Sequence, residues 1–288
     1  MSIEKDLKKE GIEVINKLDT LSVNSLASAV AHRLCKAFPN EHFVYQNLFI
    51  NLSRLPMYVA KIPDGLAEAN YFYKNSSVYF KDGLTIDELE KFAVHEFIHH
   101  IQEVKDKHGN LVRLGLCEVG DFKACGLGLN EAAVQLASSK ALGQKEDVVK
   151  YYGISLPTKS PLYYPIICNL LEQLTYVVGE DVLFSSMFNS TDDFKTTCIK
   201  LLGEKNFFKI QDNFDKILDI EEKIITQNNR LMNDDLDQIK AQKVSVKVSS
   251  LKLKLKTTFF ETQNLIFSSY FDNEFNKIHT TSEIDLYR

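Results

Sequence analysis

The chain has no tryptophan, few glycines and prolines (12 and 6 of 288 residues), and no C-x-x-C pair. Its five cysteines, Cys35, Cys117, Cys125, Cys168 and Cys198, are odd in number and scattered. That excludes a disulfide framework and suits free thiols in a reducing compartment. No apolar run approaches the roughly 18–20 residues that cross a bilayer. The first ten residues lack the apolar stretch of a secretory signal. A basic excess is also missing: 34 Lys plus Arg stand against 39 Asp plus Glu, a net charge of −5. Mild acidity of this kind argues against nucleic acid as the main partner. The expectation is a cytoplasmic chain with neither a nucleic-acid nor a membrane partner, and with its oligomeric state left open. Arginine is scarce, 5 residues against 29 lysines, which speaks of codon usage rather than of function.

What is present, 44% hydrophobic and 25% charged residues, describes a globular chain long enough to bury a sizeable core in one large or two modest domains. Three zones follow from its patterning. Residues 1–84 carry a helical stripe (Val23, Leu26, Val30, Leu34) and then short aromatic and β-branched runs at 57–60, 70–74 and 77–81. The last two runs flank Asn75-Ser76 and read as a hairpin. Residues 85–203 open on Thr85-Ile86-Asp87-Glu88, a capping box, and a helix is expected from there to about Val104. Further helices are expected from near Asn130 to Gly143, from Ser160-Pro161 to Gly179, and from Ser190 to near Gly203. Residues 204–288 form a lysine-rich extension. Val248, Leu251, Leu255 and Phe259 fit a helix there, although parts alternate like a strand. The fold class expected is α+β, a small N-terminal sheet subdomain followed by a mostly helical part.

Inside the capped helix stands His95-Glu96-Phe97-Ile98-His99. Residues four apart share a helix face, so both imidazoles can reach one Zn²⁺ at about 2.0–2.1 Å. Glu96 sits about 100° round the helix, where it can act as general base without taking a ligand position. In a chain of this composition the motif arises by chance about once in a hundred. A catalytic zinc takes a third protein ligand. The H-E-x-x-H-x-x-G-x-x-H continuation is excluded by Gln102 and Lys105. The third ligand is therefore a downstream carboxylate, with Glu131, Glu118 and Asp121 as contenders.

At this point the chain resembles the gluzincin metallopeptidases, the thermolysin-like clan, in a bacterial form. The matching stretch is Gly128-Leu129-Asn130-Glu131-Ala132-Ala133-Val134-Gln135, and the likeness covers roughly residues 70–180. The resemblance implies a zincin-like fold, with His95, His99 and Glu131 as zinc ligands and Glu96 as the base in hydrolysis of a peptide or protein substrate. Gln135 stands where the clan often has an acidic residue orienting the first histidine, and its amide oxygen can still accept an imidazole N–H. Two further features fit peptide hydrolysis. The strand Ser77–Lys81 lies just before the zinc helix, where zincins keep the edge strand that pairs with substrate. Tyr163 or Tyr164 could donate to the developing oxyanion from the third helix. The alternative from another class is a zinc-stabilised binding or regulatory protein on the same scaffold, with the lysine-rich extension as its partner surface. Intact Glu96 argues against it.

Overall fold

In the computed structural model, which describes residues 3–9, 11–63, 67–120, 124–233 and 237–286, helices and short strands build an α+β chain. The N-terminal part runs α1 (Ile3–Lys9), β1 (Glu13–Lys17), α2 (Thr20–Ala37), α3 (Tyr45–Leu52), β2 (Met57–Lys61), β3 (Ala69–Phe72) and β4 (Ser77–Lys81). The middle follows as α4 (Ile86–Ile101), β5 (Glu103–Lys105), β6 (Leu111–Leu114), β7 (Cys117–Val119), β8 (Ala124–Cys125) and α5 (Leu127–Ala141). A hairpin of β9 (Asp147–Tyr151) and β10 (Ile154–Thr158) leads to α6 (Pro165–Val178), α7 (Glu180–Asn189) and α8 (Asp193–Leu202). Two long helices, α9 (Glu204–Asn233) and α10 (Gln238–Leu286), close the chain.

The first sheet has the order β1-β2-β4-β3, with β4 parallel to β2 and antiparallel to β3. Strand periodicity divides its side chains. Met57, Tyr71, Val78 and Phe80 join the main core, while Ala60, Phe72 and Tyr79 join a smaller one with Leu7 and Ile12. This corrects the edge-strand expectation: Ser77–Lys81 is interior, and among the described strands the free edge next to α4 belongs to β3. The physical reason lies in the strand itself. Val78, Tyr79 and Phe80 are all buried, on both faces, as an interior strand requires.

The capping box forms as expected, with Glu88 Oε2 accepting from Thr85 N at 2.8 Å and Thr85 Oγ1 accepting from Glu88 N at 3.4 Å. Helix α4 stops at Ile101, short of the expected Val104. Residues 103–105 pair instead with β6. The turn between them is tied by Asp106, whose carboxylate accepts from His108 N and Asn110 N, so a local side chain competes successfully with helix propagation. Helix α6 begins at Pro165 rather than Pro161. The Ser160 hydroxyl is engaged elsewhere, donating to the Tyr163 carbonyl at 2.6 Å, and is not free to cap a helix. Ser190 ends α7 in a left-handed conformation, and Asp192 precedes α8. Residues 238–286 are helical, and Val244, Val248, Leu255 and Phe259 are buried on one stripe.

Helix α9 is built into the main core through Phe207, Ile210, Phe214 and Ile217. It comes close to α5 at Gly128, where an added Cβ would overlap the Phe214 carbonyl and come within 2.9 Å of Asp215 N. Both obstacles are backbone, so a helix must move. Gly128→Ala is expected to cost about 1–3 kcal/mol, read as a lower urea midpoint with an unchanged slope.

Candidate metal centre

Helix α4 packs against β3 on one side and α5 on another, and three side chains converge between α4 and α5. His95 Nε2 and His99 Nε2 lie 3.1 Å apart. Opposite them Glu131, in the first turns of α5, sets Oε2 3.4 Å from His95 Nε2 and Oε1 3.4 Å from His99 Nε2. The three donors are close enough to hold one metal ion. Burial works against the charged forms of His95 and Glu131, yet each offsets it for the other. The carboxylate raises His95, and the two imidazoles hold Glu131 well below the usual carboxylate range.

The surroundings orient these groups. Gln135, one turn beyond Glu131, lies 3.1 Å from His95 Nδ1 through its Oε1. An amide oxygen can only accept, so Nδ1 carries the proton and Nε2 is free to bind. The Gln135 Nε2 donates to Ser160 Oγ at 3.0 Å, and Ser160 in turn holds the Tyr163 carbonyl. The turn so fixed leaves Tyr164 at φ 50°, ψ 40°, before Pro165, a strained conformation for a bulky residue. It brings the Tyr164 ring 6.5 Å from that of His95. Burial first, then the charges of Glu131 and Glu96, push its hydroxyl well above the ordinary tyrosine range. Its hydroxyl therefore keeps its proton and can offer it in a hydrogen bond.

Glu131 owes its place to α9. Gly126, at φ 83°, starts α5 without a side-chain cap of its own. The Asp215 carboxylate accepts from Gly126 N at 3.0 Å and Gly128 N at 2.7 Å, satisfying amides at the start of the helix that carries Glu131. Glu96 is held from the other side, its Oε2 accepting from Tyr71 N of β3 at 2.6 Å. His100 faces away from the donors and packs between the Tyr71 hydroxyl (3.1 Å) and Asn51 Oδ1 (3.0 Å).

Of the residues singled out from sequence, His95, Glu96, His99, Glu131 and Tyr164 are brought together. Tyr163 is not: it is partly exposed and packs edge-on against Phe92, because the turn that points Tyr164 inward points its neighbour outward. Glu118 lies on β7 in an ion pair with Lys195 at 2.7 Å and is no part of the cluster. Asp121 lies outside the described residues.

Sequence reasoning missed Tyr71, whose contribution is a backbone amide, Asp215, which carries no motif, and the part played by Ser160, which reads from sequence as a helix cap. It also missed Glu221 on α9. That carboxylate is 3% exposed, and neither oxygen has a hydrogen-bond partner among the described residues. Burial, helped by Glu222, pushes it up to about 8, and its charge acts on Tyr164 and Tyr151. No family model, curated protein or solved structure matches the chain, so the arrangement of the three donors is what any functional reading rests on.

Proposed function

We propose that the chain is a zinc-dependent metallopeptidase of the gluzincin type on a zincin-like scaffold, acting on a peptide or protein substrate. The observation that carries the reading is the convergence of its donors: His95 Nε2 and His99 Nε2 lie 3.1 Å apart, each is 3.4 Å from a different Glu131 oxygen, and one ligand atom from each residue lies within 4.8 Å of the others. Bonds of 2.0–2.1 Å to a tetrahedral ion place its ligands about 3.3–3.4 Å apart. Two imidazoles and one carboxylate suit zinc, and three protein ligands leave the fourth position that a catalytic site needs.

When bound, zinc supplies Lewis acidity, polarising the scissile carbonyl and acidifying a water. The rest is the work of the chain. Glu96, fixed through one oxygen by Tyr71 N, has no hydrogen bond to its other oxygen among the described residues. That oxygen takes the proton of the attacking water and passes it to the leaving amine. Tyr164, kept protonated by its surroundings, donates to the oxygen on which negative charge develops. On β3 the main chain of Ala69 and Tyr71 turns away from β4, the side on which an extended substrate could add a strand.

The test is zinc per chain by elemental mass spectrometry. About one zinc is expected in the wild type and in Glu118→Ala, with a marked loss in Glu131→Ala. Full occupancy in Glu131→Ala would remove it from the ligand set. No zinc in the wild type, even after reconstitution, would sink the metallopeptidase reading.

A further inference from the structure

Helix α10 is apolar on two opposite sides. Val244, Val248, Leu255 and Phe259 face the core, while Ile239, Val246, Leu253 and Phe260 are exposed. The exposed four recur every seventh residue, so they form one continuous line about 180° from the buried stripe. A surface helix of a globular protein ordinarily turns polar residues outward there.

The charges beside this line are of one sign. Residues 238–260 contain six lysines and no acidic residue, in a chain whose net charge is −5. Lys243, Lys254 and Lys256 flank the line on either side, as do Lys240 and Lys247 a little further round. Among the described residues Lys243, Lys247, Lys254 and Lys256 have no ion pair, and only Lys240 has one, with the adjoining Asp237. Among the described residues no ion pair neutralises these four lysines, and no described helix is long and apolar enough to cross a membrane.

Two occupants compete for such a surface. A helix of a second copy would need apolar residues at both seam positions of each heptad. Here the second position is held by Gln242 or Lys243, Ser249 or Ser250, and Lys256 or Thr257. A single apolar line flanked by lysines fits a flat anionic bilayer surface better, with the four side chains entering the headgroup region and the lysine stems reaching round to phosphates. The geometry points to α10 as a peripheral docking face for anionic phospholipid, independent of what the metal centre does. Averaged over the chain, the charge conceals it.

The test is flotation of the full chain with vesicles of phosphatidylcholine alone or with about a third phosphatidylglycerol. Binding is expected only to the anionic vesicles and should weaken with salt. Lys243→Gln/Lys247→Gln/Lys254→Gln should lower partitioning roughly a hundredfold, at about a factor of five per lysine. Leu253→Ser should weaken it as well, with circular dichroism unchanged in both variants. Absence of binding to anionic vesicles, or equal binding to neutral ones, would overturn the proposal. So would a dimer in sedimentation that Leu253→Ser dissociates, which would assign the face to a second copy.

Discussion

Glu96→Gln is expected to lower peptide hydrolysis by about 10²–10⁴-fold while leaving zinc content and thermal stability near those of the wild type. The substitution is close to isosteric, and the amide oxygen can still accept from Tyr71 N, where the carboxylate now sits at 2.6 Å. What disappears is the ability to take a proton. His95, His99 and Glu131 are untouched, so metal binding and chemistry separate in one variant. The measurement is digestion of a mixed peptide library read by mass spectrometry, with zinc determined on the same samples. Turnover persisting in Glu96→Gln would show that this residue is not the base. A wild type that holds zinc but cleaves nothing would favour a binding protein on the same scaffold, for which the substitution should be silent.

The second large effect concerns stability. Glu221 has an ordinary carboxyl value of 4.5 and is carried to about 8 in the folded chain. Its folded value is raised, so the folded state keeps a proton that the unfolded chain gives up. Stability on this account is unaffected below about pH 4.5, falls as pH rises towards 8, and is constant above it. The full effect has a ceiling of about 4–5 kcal/mol at 1.36 kcal/mol per pH unit. Glu221→Gln, which cannot ionise, should flatten the decline and gain on the wild type by a few kcal/mol between pH 5 and 8. Urea unfolding of both proteins at a series of pH values, in chelator, reads this directly. Parallel pH profiles would mean that the carboxylate is compensated by a partner in solution.

Much of the centre was legible because it depends on local spacing. His95 and His99 stand four positions apart on one helix, the Thr85–Glu88 capping box fixes where that helix starts, and Glu131 sits early in a helix of its own. What could not be read depends on contacts between distant segments. That β4 lies between β2 and β3 is decided by pairing with two separate segments; the consecutive apolar residues Val78, Tyr79 and Phe80 mark a strand buried on both faces without naming its neighbours. The start of α6 turned on the Ser160 hydroxyl, and whether it capped a helix or served Gln135 and Tyr163 was a matter of tertiary partners. The strands β1, β9 and β10 escaped notice because they are short and partly exposed. Tyr163 and Tyr164 were singled out together as donors from the third helix, and telling them apart needed the left-handed backbone at residue 164.

The clasp of Asp215 on Gly126 and Gly128 has a consequence for the order of events during synthesis. The ribosome extends a chain at about 5–20 residues per second, and N-terminal parts fold first. Helix α4 and both histidines therefore emerge well before the carboxylate that steadies the third ligand's helix. While the nascent chain is still without α9, the end of α5 lacks its anchor and Phe214 is not there to meet Gly128. On the proposed reading, the cutting centre stays incomplete for as long as its own unfolded neighbours are within reach.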